Sequence, residues 1–451
     1  VRKMPGIKNV LKSVSVILCI SLLTLLSGCS KLNITADDFL SPPRASGEMY
    51  EIEQTLKANV SGAYTLKYPT AGEYRSAYIL TDLTGTGTKS FALAFYSTIN
   101  DENSTFMQLK LMKKVGDEWI SVSDITVNAV GVEKVEISDL NGDGVKEITV
   151  GWNVYAGMDK MVTAYILDGK KLVPLMQESY TNFMCCDFMG DGREELFLIY
   201  HNSSTAKAYA RYFTFDGNDI VKAGSCEIDG TVTSFNEPVL STLSNGIPAV
   251  YIDAVKGTGM QTEIVYVKKD NLVAPLYKKG NTNLTGHPTY RNTNVACKDI
   301  NSDGCLDIPI VQNYDNLTLN QDANLLNPIT KWSSYNGTTF KVSLQAVMNY
   351  TDGYYIELPN NWVGCTTVAM EIENRLRTVY LWDTETGKVK SELVKIRAVS
   401  ETVWDKPDNG FNDYEEITRQ EGVVYVAMFS GYRGAEKINL EGLKKIFHII
   451  G

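Results

Sequence analysis

The feature that most constrains this chain is a ten-residue run that returns in tandem. "DLNGDGVKEI" begins at Asp139, "DFMGDGREEL" at Asp187 and "DINSDGCLDI" at Asp299. In the first, Asp139, Asn141 and Asp143 stand at positions 1, 3 and 5, and Glu147 at position 9. Gly144 at position 6 permits a sharp turn that brings the carbonyl of Val145 inward at position 7. That is the ligand spacing of an EF-hand calcium loop, cut short before its twelfth position. The third run keeps Asp299, Asn301, Asp303 and Asp307 in register, with the carbonyl of Cys305 at position 7. The second keeps Asp187, Asp191, the carbonyl of Arg193 and Glu195, but places Met189 where an oxygen is expected. Hard oxygen ligands around a wrapped loop suit Ca²⁺ better than a transition metal. The alternative is an Asx turn, in which the side chains bond their own backbone.

Two worn copies complete the series. "DLTGTGTKSF" at Asp82 offers only Thr84, Thr86 and Ser90 as further oxygens, and "STLSNGIPAV" at Ser241 keeps little beyond Asn245 and Gly246. The five starts are separated by 57, 48, 54 and 58 residues. Such a repeat is long enough for a four-stranded propeller blade. In the three middle units an Asp-containing turn falls 29 residues after the loop start, at Asp168, Asp216 and Asp270; the outer units place theirs at Asp117 and near Asn336. Alternating apolar runs on either side of these turns predict β-hairpins. Each unit thus runs loop, strand, hairpin, and a strand leading into the next loop. In that phase residues 73–83 form a strand without a hairpin before it, and the last unit lacks a strand after "KVSLQAVM". The expectation is a ring of about five blades closed by pairing 73–83 beside the strand ending near 348, which removes an exposed sheet edge. The other reading makes 73–83 a plain N-terminal edge strand.

The repeated D-x-[DN]-x-D-G-x-x-[DE] loop between strands resembles the FG-GAP/VCBS repeats of integrin-type β-propellers. The resemblance implies two to three bound calcium ions that tie loop to strand without touching ligand. Members of that family often have seven blades, against five units here.

The N-terminus carries a separate signal. Arg2, Lys3, Lys8 and Lys12 precede the apolar run "VSVILCISLLTLL", short for a membrane span. It ends in Leu26, Ser27, Gly28 and Cys29, which resembles the lipobox of bacterial lipoproteins. The resemblance implies acylation of Cys29 and an extracytoplasmic protein held to the cell membrane by its lipid. Residues 1–29 are therefore expected to be a signal peptide. Residues 30–72 read as a tether with one short amphipathic helix in "GEMYEIEQTLKANV", residues 73–348 as the propeller, and 349–451 as a small α/β domain.

That last segment has strand-like runs without the acidic loop and closes on "NLEGLKKIFHII". There Asn439 can cap a helix with Leu440, Leu443, Ile446, Phe447 and Ile450 along its apolar stripe. It is loosely similar to PsbP/Mog1-like domains.

The fold class read from the sequence is mainly β: a propeller followed by a small α/β domain. Its 451 residues carry a net charge of −10, which argues against nucleic acid as a partner. Beyond Cys19 and Cys29, six cysteines show no zinc spacing. A Cys297–Cys305 bridge is the one pairing their positions suggest. With three histidines (His201, His287, His448), no G-x-S-x-G, no H-E-x-x-H and no phosphate-binding glycine loop, a catalytic constellation is not legible. Two functions stay open: a cell-surface binding or scaffold lipoprotein with an envelope protein or glycan as partner, and an envelope enzyme or carbohydrate-processing accessory with its site in the propeller funnel or a domain cleft.

Overall fold

The structure is a computed structural model. It describes residues 47–99, 105–280, 283, 285–312, 329–383, 385–386 and 388–450. Cys29, the expected signal peptide and residues 30–46 of the expected tether lie outside the described residues. The chain divides into two compact units, one containing residues up to 61 together with 114–121, the other 62–113 with 122–451.

In the first unit, helix α1 (Glu48–Asn59) turns Ile52 and Leu56 fully inward. It meets the hairpin tip at 114–121, where the Thr55 hydroxyl donates to the Trp119 carbonyl and Lys114 pairs with Glu48 at 2.7 Å.

The second unit is mainly β, built from antiparallel sheets; six are found among the described residues. The first joins β1 (Tyr64–Leu66), β2 (Tyr78–Thr81), β3 (Phe91–Ile99), β4 (Thr105–Val115) and β5 (Glu118–Val127), whose hairpin tip belongs to the first unit. The second is β6 (Gly131–Ser138), β7 (Glu147–Asn153), β8 (Lys160–Asp168) and β9 (Lys171–Tyr180). The third is β10 (Asn182–Cys186), β11 (Glu195–Asn202), β12 (Lys207–Asp216) and β13 (Asp219–Ile228). The fourth combines β14 (Ser234–Phe235), β15 (Val239–Thr242), β16 (Pro248–Lys256), β17 (Gly259–Lys268) and β18 (Asn271–Val273). The fifth begins with β19 (Ile308–Gln312), β20 (Ile329–Tyr335), β21 (Phe340–Asn349) and β22 (Tyr354–Glu357). The sixth holds β23 (Thr366–Glu371), β24 (Leu376–Asp383), β25 (Lys388–Ser400), β26 (Glu415–Gln420) and β27 (Val423–Phe429).

The repeat sets the strands, and the hairpin turns fall where the sequence places them. Gly169, Gly217 and the pair Lys269–Asp270 take positive φ between their strands, as tight hairpins demand. The phase of the repeat differs from the expectation. The loops at Asp139 and Asp187 join the first and second strands of one sheet, as β6 pairs with β7 and β10 with β11, so the strand feeding such a loop belongs with the strands after it. The reason is local: the position-9 acid opens the second strand and accepts the N–H of position 2, folding the loop back as a connection between neighbours. Leu140 donates in this way to Glu147 at 2.8 Å, and Phe188 to Glu195 at 2.9 Å.

The expected closure is corrected by the same fact. β2 pairs with β3, and β21 pairs with β20 and β22, so residues 73–83 do not lie beside the strand ending near 348.

Sheets pack on their chain neighbours. One core joins the first and second sheets around Phe95 and Trp152, another the second and third around Phe183 and Leu198, and another the third and fourth around Phe197 and Ile252. Tyr251 and Tyr335 sit in the core between the fourth and fifth. Each large side chain buried this way contributes roughly 2–3 kcal/mol relative to its exposed state.

The C-terminal region departs from the α/β picture. Its helices, α2 (Glu401–Trp404) and α3 (Leu440–Ile446), are short beside a five-stranded antiparallel sheet. Asn439 caps α3 by accepting the Gly442 N–H, as its sequence suggests. The helix ends at Ile446, and Phe447 opens β28 (Phe447–Ile449), which pairs with β22 and so joins the fifth sheet. That sheet crosses the boundary drawn at 348/349. Trp362 is core, 1 % exposed, its indole N–H held by the Glu436 carbonyl.

Candidate metal centre

Five loops of one build lie in a row. At position 6 all five carry a glycine with φ between 81° and 88°: Gly87, Gly144, Gly192, Gly246 and Gly304. This left-handed conformation is open to glycine at little cost. Position 4 is left-handed as well in four of them, as Gly85, Gly142, Gly190 and Ser302.

Each loop touches the next. Lys146 donates its N–H to the Leu83 carbonyl at 2.7 Å, a Cβ on Gly142 would stand 3.2 Å from Arg193, and one on Gly190 would stand 2.9 Å from Pro248. The Ser241 hydroxyl donates to the Gly304 carbonyl and accepts from Leu306 N–H.

Within the Asp139 loop the oxygens are anchored by backbone donors. Asp139 accepts from Gly142 and Gly144, Asn141 from Asp143, and Asp143 from Val145. The Asp299 loop repeats the pattern: Asp299 accepts from Asp303 and Gly304, Asn301 from Asp303, and Asp303 from Cys305. Its Asp307 is fully buried and takes the Ser343 hydroxyl at 2.5 Å. The Asx-turn reading of the sequence is therefore present in the geometry. Among the described residues no three His, Cys, Asp or Glu side chains converge in ligating geometry.

The charge balance points the other way. Burial, with the Asp143 and Asp139 carboxylates adding to it, pushes the Glu147 carboxyl up to about 7 against the lowering effect of the Leu140 N–H. Asp307 is raised by burial too, with Asp303 and Asp299 adding to the rise. No ion pair with a lysine or arginine is found for either loop among the described residues. A carboxylate offers about four lone-pair sites. The N–H bonds therefore leave acceptor capacity on Asp139, Asp143, Glu147, Asp299, Asp303 and Asp307. Hard, negatively charged oxygens that repel one another fit a divalent cation, which would supply charge neutralisation and loop rigidity there.

The Asp187 loop differs. Burial raises Glu195 to about 7, with Asp191 and Asp187 contributing. Yet the Arg193 guanidinium pairs with Asp191 at 2.8 Å and holds that carboxyl below its usual range. Met189 is exposed and contributes no oxygen. In the Asp82 loop Asp82 accepts from Thr84 and Gly87 N–H with only hydroxyls beside it.

Among the described residues the thiols and imidazoles are bonded, stacked or buried. All six described cysteines are free, so Cys297 and Cys305 are not bridged. Burial raises the Cys185, Cys186, Cys226 and Cys297 thiols, which keeps them protonated. His201 contacts the Gly230 carbonyl, and His448 stacks on Tyr355.

One grouping escaped the sequence. His287 lies 2.8 Å from the Thr289 hydroxyl and 3.3 Å from the Glu263 carboxylate, an order of hydroxyl, imidazole and acid. Thr289 is 0 % exposed and donates to the Thr262 carbonyl, so no substrate reaches it.

Beside it Arg291 pairs with Asp253, and Lys256 with Asp229, all buried. Separations of 27 and 38 residues left these pairs without a sequence signal. A pocket of about 570 Å³ between the opening strands of the second, third and fourth sheets holds Glu136, Glu237 and Lys134. Lys134 bridges the two carboxylates, so its ammonium is already engaged.

No family model and no curated protein matches the chain. Among solved structures it is similar to the Bacillus licheniformis rhamnogalacturonan lyase PL11 at 12 % identity, covering 73 % of this chain and 76 % of that one, with a TM-score of 0.30. The β-propeller domain of the Trilobed protease from Pyrococcus furiosus aligns at 10 % identity, over 72 % and 90 % of the two chains, with a TM-score of 0.29. The Pseudomonas aeruginosa periplasmic gluconolactonase PpgL aligns at 10 % over 70 % and 94 %, with a TM-score of 0.25. TM-scores this low carry no weight for fold or activity.

Proposed function

We propose that the chain is an extracytoplasmic lipoprotein, anchored through Cys29, that acts as a binding or scaffold module. Its loop-bearing sheets are blades of a β-propeller of about five blades. Calcium held by the Asp139 and Asp299 loops, and more weakly by the Asp187 loop, stiffens one row of connections. The observation that carries this reading is the contiguous row itself, in which two loops each bring a buried acid, Glu147 or Asp307, beside two further carboxylates that raise it. The engaged histidines, the protonated thiols and the engaged Lys134 ammonium favour binding over catalysis.

An ion that binds only the folded state stabilises it by mass action, about 2.7 kcal/mol at a hundredfold excess over the dissociation constant. Calcium should raise the melting temperature of the wild type, and Asp143→Ala with Asp303→Ala should remove most of that rise. A wild-type melting curve unmoved by chelator would leave the loops as turns. For the anchor, Cys29→Ala should release the protein from membranes; continued incorporation of labelled fatty acid in that variant would contradict it.

A further inference from the structure

The second unit contains a cleft of about 850 Å³ over the outer strands of the second sheet, bounded on one side by residues 125–128. Its polar groups are unusual in kind. Carboxamides come from Asn128, Gln177 and Asn202, hydroxyls from Thr126, Thr163 and Ser179, and carboxylates from Asp159 and Glu178, while its described lining holds no lysine or arginine. With Glu178 paired to the Arg211 guanidinium, the Asp159 carboxylate is left as net negative charge, which disfavours anionic ligands such as phosphates and uronates. Carboxamides donate and accept at once, and carboxylates accept strongly from hydroxyls. Met158, Met161 and Pro174 supply apolar surface in the same cleft. Hydroxyl-rich rings with apolar C–H faces match both halves of that lining.

The two carboxylates are also held in place by one chain of contacts. The Tyr200 hydroxyl donates to Asp159 Oδ2 at 3.0 Å, and Arg211 donates to Glu178 Oε2 at 3.2 Å. The Arg211 guanidinium lies 5.4 Å from the Tyr200 ring centroid and 5.7 Å from that of Tyr209, which links the two carboxylates through the third sheet. These contacts engage one oxygen of each carboxylate, and the guanidinium offsets one of the two charges. A support of this kind fixes acceptors before a ligand arrives, which lowers the ordering cost of binding.

We propose that this cleft binds a neutral oligosaccharide, with Asp159 and Glu178 accepting from sugar hydroxyls and the carboxamides completing the contacts. The proposal rests on reading the body as a binder, and is independent of the calcium loops and the lipid anchor. The test is calorimetric titration, in calcium, with neutral hexasaccharides (xylo-, manno-, cello- and maltohexaose), and with oligogalacturonate and chitosan oligomers of equal length as charged probes. At least one neutral hexasaccharide should bind. Asp159→Asn and Glu178→Gln should each weaken it about tenfold or more, as loss of a hydrogen bond to a charged group does, at an unchanged melting temperature. Binding of none of the neutral probes, tighter binding of either charged probe, or affinity indifferent to both substitutions overturns the proposal. A calcium response that persists while glycan binding fails rejects the cleft and leaves the loop reading standing.

Discussion

Two regions of this protein bury carboxylates, and they answer the resulting charge in opposite ways. In the fourth sheet Asp253 meets the Arg291 guanidinium at 2.8 Å, and Asp229 is bound by Lys256 and Gln261. In the Asp139 loop Glu147 is equally buried, yet its charged neighbours are Asp139 and Asp143. The first region carries its own cations and is closed. The second keeps its shape through backbone N–H bonds and leaves the negative charge standing. The Asp187 loop shows the intermediate case, since Arg193 neutralises Asp191 on the same backbone. Loop geometry and cation demand are therefore separate properties: the first is written in glycines and Asx bonds, the second in the count of unbalanced acids.

The sharpest way to break the comparison is to give the fourth sheet the problem of the loop. Arg291→Met leaves Asp253 buried without its cation, together with the Thr262 hydroxyl and the Val295 carbonyl that the guanidinium also serves. Removing one partner of a buried pair typically costs about 3–5 kcal/mol. Urea unfolding should show a loss of that order; a loss below about 1 kcal/mol would mean that water already reaches Asp253.

A smaller effect separates the two regions by acid. Burial alone would raise the Asp229 carboxyl, but the bonds from Lys256, Thr231 and Gln261 outweigh it and lower the group to about 2. A depressed folded value means stability that is present above the unfolded value near 4 and lost as pH falls from there toward 2. The size is at most about 2 kcal/mol. Asp229→Asn should flatten the stability profile between those pH values relative to wild type, measured by unfolding at each pH. Parallel profiles for the two proteins would remove Lys256 as the balancing charge.

The smallest effect lies inside the loop row. Ser302 takes φ 60° where three other loops have glycine. Left-handed backbone costs a non-glycine residue about 1–2 kcal/mol, and glycine gives back part of that gain through unfolded-state entropy. Ser302→Gly should stabilise by about 0.5 kcal/mol in a denaturation midpoint, whereas a destabilised variant would show that the serine side chain supports the loop.

Much of the loop row was legible beforehand, because its information is local. The oxygens at positions 1, 3, 5 and 9, the glycine at position 6, the turns at Asp168, Asp216 and Asp270, and the cap at Asn439 each lie within ten residues of what they control. The sheet phase was not, because a strand flanked by two loops pairs as readily with either neighbour on pattern alone; the bond from the position-2 N–H to the position-9 acid decides it. Phe447 reads as one more turn of an apolar helix and is claimed by β22, a strand more than 90 residues earlier. The same holds for Arg291 with Asp253 and for Tyr200 with Asp159, which meet only after the sheets pack.

The central claim, that unbalanced acids in loops of otherwise common build set cation affinity, is tested most directly by counting ions. Calorimetric titration of metal-free protein with calcium should give two sites from the Asp139 and Asp299 loops and a weaker third from the Asp187 loop. Asp143→Ala with Asp303→Ala should leave only the weak one, and Met189→Asn should tighten it. No measurable binding by the wild type, or binding that survives the double substitution unchanged, would contradict the account.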